Sequence, residues 1–204
     1  MTPQSTAPAW GSQTIDKIPP NCTLVGLVGR ARSGKDTIAH HLEMKHGFIS
    51  FAFDDPIKRG AQELFGLTDT QTWHESVKEL VIPHWGLSPR RLFQLLGTEF
   101  GREMIHPDIW LMRAHLHILG LLEKGYRRIC LSDVRFENEA VMVRKLGGVL
   151  WYVERPSAEV VAPPKSEDGI QLLRDSAEQA IQNDGTLGAL YGKVDILVQA
   201  SKQD

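Results

Sequence analysis

Cysteine is scarce in this chain: only Cys22 and Cys130 occur, each beside or within an apolar run. A disulfide framework is therefore not the expected source of stability, and two buried free thiols suit a reducing cytoplasm. Also missing is any stretch of roughly eighteen consecutive apolar residues, so no membrane span is expected. The opening segment lacks the basic-then-apolar order of a secretion signal, which makes secretion an unexpected fate. No charge of one sign dominates, since 23 Lys and Arg stand against 25 Asp and Glu, a formal net charge of -2. That balance argues against a broad phosphate-tracking surface for nucleic acid, whereas a small anion needs only a local basic cluster. The histidines lack helical metal spacing. His40-His41, His46 and His115-x-His117 give no i, i+4 same-face pair, so no structural or catalytic transition-metal site is expected.

What is present fits one globular domain. Over 204 residues, 42% are hydrophobic and 24% charged, enough for a core without staples. Met1 to Pro20, rich in Thr, Ser, Gln, Ala and Pro, reads as a flexible extension in which Trp10 is the one residue suited to dock on the body. Residues 21–204 read as a single domain.

From Thr23 the run Thr-Leu-Val-Gly-Leu-Val-Gly lacks polar alternation, as a strand buried on both sheet faces does. A helix over Lys35–His46 follows, then a strand over Phe48–Phe53. Asp54-Asp55-Pro56 opens a helix to Leu64 that Gly66 stops. Helix is expected around Trp73–Val81, before Pro83 breaks it. Ser88-Pro89 starts an amphipathic helix reaching about Met104, and Pro107-Asp108 opens another to about Glu123. Ile129–Leu131 reads as a strand, Glu137–Leu146 as a helix and Val149–Val153 as a fourth strand. Arg155–Gly169, with three prolines and no period, reads as a surface excursion. Helices over Asp175–Ile181 and Thr186–Tyr191 and a last strand over Val194–Val198 complete the pattern. Strands alternating with helices imply an α/β three-layer fold with a mostly parallel sheet.

Gly29-Arg30-Ala31-Arg32-Ser33-Gly34-Lys35-Asp36-Thr37 has two glycines separated by four residues and followed at once by lysine. Backbone N–H groups of such a loop converge on a phosphate, and the lysine adds a mobile point charge. A coincidental glycine-rich turn is the competing reading. The position after a buried strand and before a helix opposes it. Asp36 stands where Ser or Thr usually ligates Mg²⁺, with a hydroxyl only at Thr37, so Asp36 is expected to hold the ion directly or through water. A second carboxylate, Asp133, ends the Ile129–Leu131 strand region, and Arg135 beside it is a planar donor suited to phosphate oxygens. A helix cap is the plainer role for Asp133.

Several separated stretches together resemble the phage-type deoxynucleoside monophosphate kinases of the P-loop superfamily. They are Arg32–Thr37, then Phe51-Ala52-Phe53-Asp54-Asp55-Pro56-Ile57-Lys58, Pro89–Glu99 and Asp133-Val134-Arg135-Phe136-Glu137-Asn138-Glu139. A terminal stretch, Ile181–Leu187, is similar to the segment such kinases place near the adenine of ATP, which implies Asn183 and Gly185 in ATP binding beside Arg32, Ser33, Gly34, Lys35, Asp36 and Thr37. The Ser-Gly-Lys-Asp loop is a variant found in this family and in phosphomevalonate kinases. The resemblance implies transfer of the γ-phosphoryl of ATP to a dNMP, a helical acceptor-binding region at about 54–113 and a lid at about 155–174. ATP and Mg²⁺ are the implied cofactors, and the implied compartment is cytoplasmic, the host's if the gene is viral. The expected partner is the small-molecule dNMP, with a homodimer as the possible assembly, no membrane and no stable nucleic-acid partner.

Phosphoryl transfer needs alignment and charge stabilisation more than covalent help, which selects Lys35, Arg32, Asp133, Arg135 and Arg155 as the catalytic candidates. Arg32 as a solvated loop charge and Arg155 as a surface flank of Pro156 are the plainer readings. For the acceptor, Asp54 and Lys58 lie one turn apart, Arg90 and Gln94 share a helix face, and Thr98, Glu99 and Arg102 continue it. Gln94 is suited to reading a base edge, Arg90 or Arg102 to meeting the 5′-phosphate, Trp110 to stacking, and Glu137 completes the set. Against these stand a helix cap at Asp54, an ion pair between Glu99 and Arg102, and a core Trp110. Two rival functions remain: a P-loop kinase for another acceptor (dephospho-coenzyme A, phosphomevalonate or a modified base in DNA), and a nucleotide-binding module without transfer activity.

Overall fold

The computed structural model describes residues 17–156, 170 and 172–200. Its centre is β1 (Thr23–Val28), buried along almost its whole length because it is covered on both sheet faces. Five strands, all paired in parallel, lie in the order β2-β3-β1-β4-β5, with β2 at Ile49–Phe51, β3 at Arg128–Val134, β4 at Val149–Glu154 and β5 at Gln179–Gln182. Parallel neighbours need crossovers, and helices supply them.

One face is covered by α1 (Lys35–His46) and α7 (Leu187–Ala200), whose Ile38, Leu42, Leu190 and Val194 pack over Val25, Leu27 and Trp151. The other is covered by α5 (Ile109–Glu123) and α6 (Glu137–Lys145), where Ile118, Leu121, Ala140 and Val143 meet Leu24, Leu131 and Leu150. Between β2 and α5 the chain forms α2 (Asp55–Phe65), α3 (Asp69–Trp73) and α4 (Pro89–Gln94). Ala61 of α2 and Leu92 of α4 form a small core with Leu67 from the α2–α3 connection, separate from the two sheet cores.

The topology marks one place for a ligand. The connection after β1 leaves toward β2 and the connection after β3 leaves toward β4, although β1 and β3 are neighbours. Their carboxyl ends are therefore the switch point, the place at which open parallel sheets bind ligands.

Several expected elements differ. The strand expected at Val194–Val198 and the short helix before it are one helix, α7, and the helix expected over Asp175–Ile181 gives way to the edge strand β5. Leu190, Val194 and Val198 are buried at four-residue intervals while Ile196 is exposed, so packing imposes a helical period on a β-branched run. Only Ile181 is buried in β5, too little alternation to signal a strand. The helix expected around Trp73–Val81 begins earlier, as α3, because Thr68 caps it with Gln71 in a reciprocal capping box; a 3-10 turn at Glu75–Val77 follows. The helix from Ser88 is capped as expected, Ser88 Oγ accepting from Arg91 N–H, but continues from Leu95 to Ile105 as a π-helix, and His106 N–H reaches back to the carbonyl of Gly101. Within the expected flexible extension, Ile18 is buried and donates its N–H to the Leu146 carbonyl at 2.9 Å. Trp10 lies outside the described residues.

Candidate active site

At the end of β1 the chain must turn within a few residues. A side chain at Gly29 would bring its Cβ to 2.5 Å from the Val153 carbonyl oxygen, so glycine is required by close approach. Gly34 has φ of 108°, in the left-handed region, and a Cβ there would lie 2.5 Å from Asn183 Nδ2. Arg32 also has a positive φ, 60°, which costs a non-glycine residue energy and is typical of functional loops.

Lys35, the first residue of α1, is buried, and its ammonium donates to the carbonyls of Gly29 at 2.6 Å and Arg30 at 3.0 Å. Asp133 Oδ1 lies 3.6 Å from the same nitrogen. Burial pushes the lysine below the usual ammonium range, against the opposing pull of the Asp133 carboxylate. Asp133 reaches this position through an irregularity in β3: Gly26 pairs with Leu131 but Val28 pairs with Val134, which leaves an extra residue in β3 between them. Such a bulge re-aims side chains beside active sites.

Asp133 Oδ2 accepts from Arg135 Nε at 2.6 Å, whereas Oδ1 is buried with no hydrogen-bond partner among the described residues, as is Ser33 Oγ. Burial disfavours the Arg135 charge, yet Asp133, with help from Asp54 and Glu139, holds the guanidinium above its usual range. Asp54, at the head of α2, accepts from Lys58 Nζ at 2.8 Å. Arg102 from the π-helix stacks over the Phe136 ring at 4.6 Å and approaches Glu139 at 3.6 Å. Lys35, Asp133 and Arg135 are thus joined directly, Asp54 links Arg135 to Lys58, and Glu139 links Arg135 to Arg102.

On the α7 side, Asn183 Nδ2 donates to the Ser33 carbonyl at 2.8 Å and its backbone N–H donates to Glu154 O at 2.7 Å, tying β5 to the phosphate-binding loop. Gly185 follows, exposed, just before α7. Asp36 is exposed and Thr37 half-buried in the first turn of α1, and Asp36 is near enough to act on the Lys35 charge. Arg155 is exposed directly after β4. Of the expected lid, residues 157–169 and 171 lie outside the described residues, and Arg174 at its end pairs with Glu154 at 2.9 Å.

Other acceptor candidates are engaged elsewhere. Arg90 binds Glu75 and Glu79, because the 3-10 turn brings two carboxylates to its guanidinium. Glu99 pairs with Arg91 at 2.8 Å and not with Arg102. Trp110 donates its indole N–H to the Gly97 carbonyl at 2.7 Å and packs on Gly101, so its ring also serves helix packing. Gln94, Thr98 and Glu137 are exposed. Glu139 is the site residue that reading by residue type passed over. Its Oε2 accepts from the N–H groups of Arg135 at 2.8 Å and Phe136 at 3.2 Å, and burial pushes its carboxyl up to about 7. The available signal was its place three residues after Phe136, the residue that precedes α6, as half of a capping box whose other half the Phe136 side chain has no oxygen to make.

A phosphate loop at the tip of the central parallel strand, with a buried lysine and carboxylate at its mouth, defines a P-loop phosphotransferase. The fold matches that of a solved dephospho-CoA kinase from Campylobacter jejuni, with a TM-score of 0.52 at 14% identity over 88% of this chain and 98% of that one. The family model for deoxynucleotide monophosphate kinase matches residues 66–194. A provisionally named deoxynucleotide monophosphate kinase of Acanthamoeba polyphaga mimivirus is 32% identical over 190 residues, 88% of this chain and 98% of the relative. The deoxynucleotide monophosphate kinase of Enterobacteria phage T4 is 30% identical over 107 residues, 52% of this chain and 44% of its own length. The chain belongs to the deoxynucleotide monophosphate kinase family and is an ATP-dependent phosphotransferase.

Proposed function

We propose that the protein transfers the γ-phosphoryl group of ATP to a deoxynucleoside monophosphate, giving the diphosphate and ADP, with Lys35, Asp133 and Arg135 at the point of transfer. The observation that carries this reading is the Lys35–Asp133–Arg135 cluster at the switch point, which joins the phosphate loop to an arginine facing the helical region. Lys35 exchanges its two loop carbonyls for phosphate oxygens when a triphosphate enters. Backbone N–H groups of Ser33 to Asp36 supply the remaining donors. Arg135, fixed by Asp133 and Glu139, meets the transferring group, where a preorganised guanidinium stabilises developing charge without reorganising.

The donor set fits magnesium. Asp133 Oδ1 is a buried carboxylate oxygen with no hydrogen-bond partner among the described residues, and hard oxygen ligands suit this ion. Asp133 and Asp36 would hold it, and when bound it supplies neutralisation of the β- and γ-phosphate oxygens. On the acceptor side, Asp54, Lys58 and Arg102 ring the entrance, the two cations facing the monophosphate. Arg155, exposed directly after β4, is the further cation assigned to the donor phosphates in this reading.

The likeness to dephospho-CoA kinase is one of fold and gives no reason to prefer that acceptor. The test is ADP release measured by a coupled assay with each of the four dNMPs, dephospho-coenzyme A and phosphomevalonate. At least one dNMP accelerates ADP formation well above the basal rate, and Lys35→Ala lowers kcat by on the order of 10²-fold or more with an unchanged circular-dichroism spectrum. If no dNMP accelerates ADP release, the acceptor assignment is wrong.

A further inference from the structure

Far from the phosphate loop, α1 and α7 meet at their other ends. His41 and His46 lie five residues apart on the last turns of α1, a spacing that by itself signals nothing. Folding brings Asp195 of α7 to them: Asp195 Oδ1 lies 2.8 Å from His41 Nε2 and 2.7 Å from His46 Nε2, across 154 and 149 residues of sequence. The histidine spacing gave no sign of this cluster because its third member comes from the far end of the chain.

We propose that His41, His46 and Asp195 bind a divalent transition cation of the zinc class, stapling α1 to α7. Two imidazole nitrogens aim at one carboxylate oxygen, and all three ligand atoms lie within 4.8 Å of one another. Around a tetrahedral ion with bonds of about 2.0–2.1 Å, ligand atoms sit roughly 3.3 Å apart, so the ion enters by opening each N···O contact by about half an ångström. The rings are held in place beforehand. His41 is stacked flat on Tyr191 of α7, with centroids 3.9 Å apart and 5° between planes, and the His46 ring meets the His41 ring edge-on at 5.6 Å. His41 is also among the buried polar residues, at 8% exposure, which keeps its nitrogen from bulk water.

The chemistry of the donors selects the ion. Two imidazoles and one carboxylate favour zinc, cobalt or nickel over magnesium and calcium, which take all-oxygen shells. Lys45 binds the other oxygen, Asp195 Oδ2, at 2.7 Å, so Oδ1 remains the metal-facing atom. The ammonium removes part of the site's negative charge and sets a moderate affinity. A water takes the fourth position, since no further His, Cys, Asp or Glu among the described residues joins the cluster.

The test uses the full chain, stripped with a chelator and titrated with Co²⁺ in millimolar Mg²⁺, which fills oxygen sites. One equivalent of Co²⁺ gives the visible d–d bands of a low-coordinate N/O site, and Zn²⁺ displaces it. His46→Gln and Asp195→Asn each weaken Co²⁺ binding by at least about tenfold, while His84→Gln, at an exposed histidine, leaves it unchanged. In parallel, Zn²⁺ raises the Tm of the native chain and of His84→Gln but not of His46→Gln, and each variant's Tm in chelator shows whether it still folds. The proposal is overturned if the native chain shows no d–d bands and no Tm rise with Zn²⁺, or if His46→Gln binds as tightly as the native chain. Turnover of dNMP in Mg²⁺ alone is a separate readout, so failure here leaves the assigned activity standing.

Discussion

Glu139 shows how one buried carboxylate can organise its neighbours through the backbone. Its Oε2 accepts the N–H groups of Arg135 and Phe136, fixing the backbone that presents the Arg135 guanidinium, while Oε1 faces Arg102. At 2% exposure, burial raises its carboxyl from 4.5 to about 7, so the native state holds a proton on it that the unfolded chain has released. The native state therefore binds more protons between those values, and stability falls as pH rises through that window. The full span corresponds to about 3 kcal/mol. Glu139→Gln keeps an acceptor oxygen and cannot ionise. Urea unfolding at pH 5 and pH 7.5 is expected to show the native protein losing stability relative to this variant as pH rises. Parallel pH profiles for the two proteins would rule out Glu139 as the titrating group.

At the scale of elements, the π-helix over Leu95–Ile105 is the least regular piece and the one most closely fitted to a neighbour. A Cβ at Gly101 would sit 2.6 Å from Cζ2 of Trp110, a ring anchored by its own hydrogen bond to Gly97. A Cβ at Gly97 would meet only the Cδ1 tip of Ile57, at 2.9 Å, and a side-chain tip moves easily. Gly101→Ala is expected to destabilise by about 1–3 kcal/mol through overpacking. Gly97→Ala loses much less, because the helix-propensity gain of about 1 kcal/mol offsets a small adjustment. Chemical denaturation of both variants checks the order; equal losses would mean that the Trp110 contact is not the constraint. The sequence could signal a helix here, through Ser88-Pro89 and the leucine spacing, but not its π character, because the apolar period of a π-helix is close to that of an α-helix. The same division holds elsewhere. The phosphate loop, β1 and Asp133 were legible because their chemistry is local, whereas β5 and α7 were misread because an edge strand with one buried residue has no pattern and a β-branched run took its period from packing on α1. Arg90 was legible as a helix-face cation, yet the acidic turn that engages it is folded from a segment with no clear period.

For the whole molecule, the two thiols report on different depths of one structure. Cys130 lies in β3, fully buried between β1 and β2, and burial drives its thiol up to about 12. The thiolate is the reacting species, so native Cys130 is inert both by access and by ionisation. Exposing it requires parting the central strands, which carry the cores on both faces and the phosphate loop at their tip. Cys22 precedes β1 and is half-buried; burial raises its thiol too, opposed by Arg127, and local fraying is enough to expose it. Labelling the native chain and Cys22→Ser with an aromatic disulfide reagent is expected to resolve a fast Cys22 phase and a much slower Cys130 phase. The slow rate rises with urea along the slope of global unfolding. ATP, Mg²⁺ and dNMP slow it further in proportion to ligand saturation, because they bind the native state alone, and leave the fast phase nearly unchanged. A Cys130 rate independent of urea and ligand would mean that β3 opens without the rest of the sheet, and the site at its tip would then be uncoupled from the fold that positions it.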